Sequence, residues 1–285
     1  MDCCPTDAVK SMDYDRDNQV PTTNPARVLL VEDNVNNRKV VQIMLLRLGI
    51  EPDIAEDGVA AVSAYEAADY DLILMDIQMP NMDGLEASRR IRAMEESQGR
   101  RHTPIMAVTA NVLPEDRSAC EAAGMDDFIS KPVRKQSLLE AVDHWLQPDE
   151  AANPEPAPDV ASASEVAPTA PPDDEPPFDS SVLHRLAHDV GEEVIPILFD
   201  GFEEDLHGQP EELQGLADSG DLETLTRVVH TIKGSAATFG ARRVSDAAMA
   251  VETIAREGDL DGARTLLPAL LAAVEAAKPC VPKSL

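Results

Sequence analysis

Residues 71–76 read DLILMD, and this short stretch decides the fold of the first half of the chain. Four apolar residues follow one another without a polar interruption and end on a carboxylate, Asp76. A continuous apolar run of this length predicts a strand that is covered on both faces, which is typical of parallel sheets flanked by helices. Asp76 then stands at the carboxyl end of its strand, where parallel sheets collect their functional groups.

The same pattern recurs on both sides of this stretch. Short apolar runs alternate with amphipathic segments five times across residues 26–147. Repeated strand–helix units of this kind predict an α/β fold of flavodoxin-like type, with a doubly wound, five-stranded parallel sheet. The five runs are RVLLVE, EPDIAE, DLILMD, PIMAVTA and DDFISK.

A different composition begins at residue 148. Residues 148–177 contain nine prolines, eight acidic residues and no basic ones. Proline removes backbone donors and like charges repel, so this segment buries too little apolar surface to offset its ordering entropy. We therefore predict an acidic, disordered linker at 148–177, and a disordered tail over the polar residues 1–25.

The segments after the linker carry helical periodicity and no strand signal. Their breaks fall at Gly191, Gly220, Gly240 and Gly258. Several amphipathic helices joined by short turns bury their apolar stripes most readily against one another. Residues 178–285 are therefore predicted to form an all-α bundle.

Charge and composition exclude several classes of partner. The net charge is -29, and no basic stripe offsets it locally, which argues against nucleic acid. No run of about 18 apolar residues predicts a membrane span, and the first residues do not resemble a signal peptide. The four cysteines show no pairing pattern, as expected in a reducing compartment. We expect a cytoplasmic protein whose partners are proteins, without membrane insertion.

Reactive side chains end four of the five predicted strands. Glu32 and Asp33 follow the first, Asp76 ends the third, Thr109 ends the fourth and Lys131 follows the fifth. Carboxylates crowded within ~4 Å repel by roughly 4 kcal/mol per pair at an effective dielectric near 20, so the three acids require cations. Lys131 supplies one charge, and oxygen-only ligands around an open site favour Mg²⁺ for the rest.

This set of groups predicts phosphoryl chemistry. Asp76 is the candidate nucleophile toward phosphorus, with an aspartyl phosphate as the product. Lys131 and Mg²⁺ neutralise the group in transfer, and the Thr109 hydroxyl donates to a phosphoryl oxygen.

The strings VLLVEDN, LILMDIQMPNMDG, AVTAN and FISKP occur in this order and resemble the receiver domain of response regulators across residues 26–147. The resemblance implies that Asp33, Asp76 and the backbone carbonyl of Gln78 bind Mg²⁺, with Glu32 acting through water. It also implies that Thr109 and Lys131 contact the phosphoryl group.

Two further features follow from the same resemblance. The bond between Lys131 and Pro132 is expected to be cis. Phe128 stands at the position of the family's switch aromatic, although plain core packing would equally explain an aromatic residue in the fifth strand.

A second candidate site lies in the helix predicted after residue 221. Its apolar seam consists of Leu222, Leu225, Val229, Ile232, Ala236 and Phe239. At 100° per residue, His230 points about 120° away from that seam and is expected at the surface. A neutral imidazole attacks phosphorus, Lys233 one turn later offers a cation for the phosphoryl group, and Gly234 gives a docking partner close access.

The strings HTIKGSAATFGA and AVETIAREGDL resemble the histidine-phosphotransfer domain, over about residues 178–277. The resemblance implies that His230 is phosphorylated on Nε2 and that Lys233 supports the phosphoryl group. It also implies that the docking receiver brings the Mg²⁺.

The leading hypothesis is a two-component phosphorelay protein. No ATP-binding glycine motif is visible, so a sensor histidine kinase is expected to phosphorylate Asp76, and His230 to relay phosphate to or from a downstream response-regulator receiver. Transfer from Asp76 to His230 within one chain is left open, although the linker permits it. The alternative is a regulatory binding module or phosphate sink. A haloacid-type phosphatase is disfavoured, because that chemistry needs a second acid at position 78, which is Gln.

Overall fold

The computed structural model describes residues 26–110, 114–146 and 176–282. The predicted tail at 1–25 lies outside these residues, and so does the predicted linker at 148–177 except for its last two prolines. The boundaries assigned to the tail, the linker and the two domains therefore stay predictions.

The first module is the predicted α/β fold. Its five strands are β1 (Val28–Val31), β2 (Asp53–Ala55), β3 (Leu72–Asp76), β4 (Ile105–Thr109) and β5 (Asp127–Ser130). They pair in parallel in the order β2-β1-β3-β4-β5, which confirms the doubly wound sheet. Val31 lies opposite Met75, and Asp76 lies opposite Val108. This register brings the carboxyl ends of the three central strands to the same edge of the sheet.

Five helices cover the two faces of this sheet. They are α1 (Val35–Arg47), α2 (Gly58–Ala67), α3 (Gly84–Gln98), α4 (Pro114–Ala122) and α5 (Lys135–Leu146). The first three begin beside the carboxyl edge, and each has a side-chain cap. Asn34 accepts from the backbone of α1, Asp57 from that of α2 and Asp83 from that of α3. Such caps satisfy backbone donors that the first helical turn leaves without partners.

The second module is a helical bundle, as predicted. Its helices are α6 (Ser180–Val190), α7 (Ile195–Ser219), α8 (Leu222–Thr238), α9 (Arg242–Arg256) and α10 (Leu260–Ala277), with short 3-10 turns at Glu192–Val194 and Lys278–Cys280. The predicted breaks coincide with helix ends, and Gly220 closes α7 in the left-handed conformation with φ 79°. Glycine adopts this conformation without the steric cost that a Cβ atom brings.

The two modules pack against each other. One face of the sheet has its own core under α2 and α3, which includes Ile73 and Met75. The other face, with Leu72 and Leu74, belongs to a hydrophobic cluster that continues into the bundle. Helix α1 makes this link, since it contacts α6, α7 and α8. Among the helices of the described residues, none combines the length and apolar character needed to cross a membrane.

Candidate functional site

The reactive groups predicted at the strand ends converge at the carboxyl edge of the sheet. Nζ of Lys131 lies 2.7 Å from Oδ2 of Asp76 and 2.8 Å from Oε2 of Glu32. Both acids are 2% exposed, so these charges are withdrawn from water and depend on one another. Parallel pairing explains the convergence, because β1, β3 and the residue after β5 deliver their side chains to one edge.

The same edge offers a set of metal ligands. Glu32, Asp33 and Asp76 each present a carboxylate oxygen, and these oxygens lie within 4.8 Å of one another. The backbone N–H of Gln78 donates to Oδ1 of Asp76 at 3.3 Å, which places the Gln78 backbone beside the acids. An oxygen-only donor set fits a hard divalent cation such as Mg²⁺ better than zinc or iron.

Protonation of the acids is disturbed in a consistent direction. Burial raises the pKa of Asp76, and the charge of Lys131 opposes this rise only in part. Burial, followed by the charge of Glu32, raises the pKa of Asp33 to about 6. Burial alone would lower the pKa of Lys131, but the charges of Asp76 and Glu32 raise it above its usual value. Three acids thus surround one ammonium group, and a further cation would relieve their repulsion.

Thr109 and Phe128 occupy the positions that the sequence predicts. Thr109 ends β4 and is 9% exposed. Phe128 lies in β5, half-buried, with the guanidinium carbon of Arg117 5.0 Å from its ring centroid. The bond between Lys131 and Pro132 is cis, as the receiver resemblance implies. The switching role of Phe128 stays a prediction.

The exposure predicted for His230 is wrong in this structure. His230 lies on α8, whose first turn is capped by Asp221, and it is only 7% exposed. The helical periodicity concerns one helix and its apolar seam. It takes no account of an acidic partner on α9 or of the receiver module that covers this face of α8.

Glu252 on α9 organises the surroundings of His230. Its Oε1 lies 2.7 Å from Nδ1 of His230, and its Oε2 lies 2.6 Å from Nζ of Lys233. A guanidinium nitrogen of Arg256 lies 2.6 Å from the same Oε1. Glu252 is 3% exposed, so its charge is stabilised by two cations and one hydrogen bond rather than by water.

The Glu252 carboxylate also sets the chemical form of the imidazole. Burial lowers the pKa of His230, and the hydrogen bond to Glu252 opposes this only in part. Burial would raise the pKa of Glu252, but the hydrogen bond from His230 and the charge of Lys233 lower it to about 2. An ionised carboxylate only accepts hydrogen bonds, so Nδ1 of a neutral His230 carries the proton. The lone pair of the imidazole is then on Nε2.

The two sites open onto one pocket between the modules. It is lined by Asp76, Ile77, Gln78, Thr109, Ala110, Asp116, His230 and Arg256. Asp76 and His230, predicted independently from two parts of the sequence, therefore face the same space.

Polar contacts hold the modules in this arrangement. Nδ2 of Asn36 donates to Oδ2 of Asp205 at 2.7 Å, and the backbone N–H of Lys135 donates to Oδ2 of Asp189 at 3.3 Å. The guanidinium of Arg47 at the end of α1 pairs with Glu193 of the bundle. These contacts surround the apolar packing of α1 on the bundle.

Gly234 and Lys233 differ in how far the structure agrees with their predicted roles. Gly234 is buried against the receiver, and a Cβ atom there would lie 3.7 Å from Nδ2 of Asn37 and 4.0 Å from Cδ of Lys131. A methyl group would thus fit, and only a larger side chain would obstruct docking. Nζ of Lys233 turns to Glu252, whereas Arg256 lines the pocket. The phosphoryl-supporting role of Lys233 stays a prediction.

Sequence reasoning missed Glu252 and Arg256. Both lie in the string AVETIAREGDL, one helical turn apart. The available signal was the position of Glu252 on the buried face of α9, among Ala248, Val251 and Ala255. A carboxylate on such a face needs a partner, and His230 and Lys233 were available.

Two family models match the chain. Residues 28–143 match the response regulator receiver domain, and residues 198–279 match the Hpt domain. The two matches fall on the α/β module and on the helical bundle, respectively.

Curated relatives and a solved structure are similar to part of the chain. A probable histidine kinase 1 from Oryza sativa subsp. indica is 39% identical in an alignment 157 positions long, and the match covers 45% of this chain and 16% of the relative. The sensor protein GacS of Pseudomonas syringae pv. syringae is 40% identical over 119 residues, which are 42% of this chain and 13% of the relative. The chain thus spans a small part of these relatives. The receiver domain of a sensor histidine kinase from Pseudomonas aeruginosa PAO1, crystallised with magnesium in its active-site cleft, is 41% identical; the match covers 43% of this chain and 98% of that one, with a TM-score of 0.40.

Proposed function

Because this chain is a response-regulator receiver domain fused to an Hpt domain, we propose that it relays a phosphoryl group directly between Asp76 and His230. The observation that carries the proposal is the shared pocket, which both side chains line. Neither module contributes bond energy in such a relay. They supply alignment and charge neutralisation.

Asp76 receives the phosphoryl group from a phosphohistidine of a sensor histidine kinase. A carboxylate oxygen attacks phosphorus as the phosphorus–nitrogen bond of the donor breaks. Lys131, already within 2.7 Å of Asp76, remains beside the new aspartyl phosphate, and the Thr109 hydroxyl donates to a phosphoryl oxygen. Glu32, Asp33, Asp76 and the carbonyl of Gln78 would hold Mg²⁺, which neutralises phosphoryl charge when bound.

His230 then takes the group from Asp76. Its Nε2 attacks phosphorus, the phosphorus–oxygen bond to Asp76 breaks, and the carboxylate that leaves is paired with Lys131. The proton on Nδ1 stays on the ring, where Glu252 accepts its hydrogen bond at 2.7 Å. The reverse reaction uses the same groups. The direction of flow is therefore set by the partners.

The partners follow from this chemistry. An upstream sensor histidine kinase charges Asp76, and a downstream response-regulator receiver discharges His230. Such partners act in the cytoplasm, where we place the chain. The net charge of the whole sequence is -29, and this negative charge disfavours nucleic acid as a further partner.

One observation also supports the regulatory alternative. Docking leaves His230 only 7% exposed, so the receiver domain covers the residue that outside partners must reach. In this second candidate function, phosphorylation of Asp76 gates access to His230 without internal transfer. The two candidates differ in whether label leaves Asp76 for His230 of the same chain.

The test uses full-length chains and acetyl phosphate with Mg²⁺, a small donor that loses acetate when Asp76 attacks its phosphorus. Wild type should carry label on both residues, His230→Gln only on Asp76, and Asp76→Asn on neither. Phosphohistidine and aspartyl phosphate are separated by their opposite stabilities to acid and base. Transfer within one chain should proceed at a rate independent of chain concentration. Equal persistence of label on Asp76 in wild type and His230→Gln would contradict the internal relay.

A further inference from the structure

Gly201 on α7 lies directly against Asn36 of α1. A Cβ atom at this position would lie 2.3 Å from Oδ1 and 3.2 Å from Cγ of Asn36. Contacts below 3.0 Å require something to move, and Asn36 is 2% exposed with little room to do so. A side chain at 201 would therefore displace the Asn36 side chain or push the two helices apart.

Asp205 lies one helical turn beyond Gly201 and holds the same asparagine. Its Oδ2 accepts a hydrogen bond of 2.7 Å from Nδ2 of Asn36. Oδ1 of Asn36 is buried and, among the described residues, has no hydrogen-bond partner. The Asn36 side chain is thus fixed by one bond to Asp205 and by the space that Gly201 leaves.

Any receiver that serves His230 must come to the same place. Nδ1 of His230 is engaged by Glu252, so phosphorus has to approach Nε2 through the pocket that Asp76 lines. Because one nitrogen reacts and it is reached through one pocket, His230 serves one receiver at a time. The residue that a docking receiver presents at the position of Asn36 then meets Gly201 and Asp205.

We propose that Gly201 and Asp205 are specificity-determining residues that select receivers by the second residue of their first helix. Together, Gly201 and Asp205 accept an uncharged hydrogen-bond donor of the size of asparagine at that position. They reject a larger side chain by contact with the α7 backbone and an acidic one by repulsion from Asp205. The inference rests on the proposed relay. The chain's own receiver meets both conditions, and a separate downstream receiver must satisfy them in competition with it.

The charge condition is tested by Asn36→Asp, Asp205→Asn and the double variant in full-length chains. An acid at the second position of α1 favours the helix, so Asn36→Asp should leave the receiver folded. After incubation with acetyl phosphate and Mg²⁺, the ratio of phosphohistidine to aspartyl phosphate should fall about 30-fold in Asn36→Asp. The double variant exchanges donor and acceptor between the domains and should recover to within about threefold of wild type. Equal ratios in Asn36→Asp and wild type would overturn the charge condition.

The size condition is tested by Gly201→Leu against Gly215→Leu. Both glycines lie in α7, but a Cβ atom at Gly215 meets nothing within 4 Å. Leucine is the better helix former, so each substitution should stabilise the isolated helix. Gly201→Leu should reduce transfer about 30-fold or more, whereas Gly215→Leu should keep the wild-type ratio. Unchanged transfer in Gly201→Leu would overturn the size condition.

Small-angle X-ray scattering separates failure of this inference from failure of the relay. Unphosphorylated chains report docking without any chemistry. Asn36→Asp and Gly201→Leu should have a larger radius of gyration than wild type, and the double variant and Gly215→Leu should not. If wild type never labels His230, the proposed relay fails, but variants with a larger radius of gyration would still support selection by Gly201 and Asp205. Identical radii in all five chains would overturn it.

Discussion

Nδ1 of His230 lies 2.7 Å from Oε1 of Glu252, and neither residue is more than 7% exposed. The same carboxylate pairs with Lys233 and Arg256. A carboxylate so placed fixes the tautomer of the imidazole and keeps the reactive nitrogen turned toward the pocket. It also binds two cations beside the position that a phosphoryl group would occupy. One side chain on α9 thus links the nucleophile to the charges around it.

Replacing Glu252 with Gln should lower the pKa of His230. The Glu252 charge and its hydrogen bond both raise that pKa, so loss of the charge removes a contribution that favours imidazolium. Transfer to His230 should slow about tenfold, because weakening a hydrogen bond to a charged group costs about 1.5 kcal/mol. Proton NMR titration of the His230 ring measures the first effect and rapid-quench labelling the second. Glu257→Gln, on an exposed position of the next turn, is the control. A His230 pKa that rises in Glu252→Gln would refute the assignment.

Removing one acid from the sheet edge should change the free energy of unfolding in opposite directions with and without metal. Burial and the charge of Glu32 disfavour the ionised form of the Asp33 carboxyl group. Asp33→Asn should therefore be at least as stable as wild type in EDTA at pH 7. Mg²⁺ at 100 times its dissociation constant should stabilise wild type by about 2.7 kcal/mol, and Asp33→Asn by much less. Urea denaturation with and without Mg²⁺ measures both quantities, with the exposed Glu66→Gln as control. Equal stabilisation of all three chains would argue against a metal site at this edge.

Gly84 ties the position of Asp76 to the start of α3. A Cβ atom at 84 would lie 2.1 Å from the backbone oxygen of Asp76, and a backbone atom has little freedom to yield. Gly84→Ala should therefore destabilise the receiver, by about 3 kcal/mol, and slow phosphorylation of Asp76. Gly215→Ala, at an open helical position, should stabilise the bundle by up to about 1 kcal/mol. Thermal denaturation compares the two variants. A Gly84→Ala chain as stable as wild type would show that the loop before α3 yields easily.

The sheet edge was predictable because its information is local. Each of Glu32, Asp76, Thr109 and Lys131 ends or follows an apolar run, and parallel topology brings such ends together. The burial of His230 was not predictable from α8, because it depends on Glu252 and on the receiver.

The docking contact between the two modules was still harder to predict from the sequence. Asn36 and Asp205 are 169 positions apart, and neither periodicity nor spacing marks a hydrogen bond between two domains. Gly201 likewise reads as an ordinary weak point in a long helix. Its meaning depends on the neighbour that fills the space left by its missing side chain. Complementarity between surfaces becomes visible only after both modules are folded.

Lys233 and Arg256 should be distinguishable as supports for the phosphoryl group. The Lys233 side chain is 9% exposed and paired with Glu252, whereas that of Arg256 is 34% exposed and lines the pocket. Lys233→Met should therefore lower the free energy of unfolding by about 1 to 3 kcal/mol, because a buried acceptor loses a donor. It should slow phosphoryl transfer by less than Arg256→Met does. Arg256→Met removes a more exposed donor from the same carboxylate, so it should cost less stability than Lys233→Met while slowing transfer about tenfold. Rapid-quench labelling and urea denaturation of the same two variants give the comparison. Slower transfer in Lys233→Met than in Arg256→Met, at unchanged stability, would assign the phosphoryl contact to Lys233 instead.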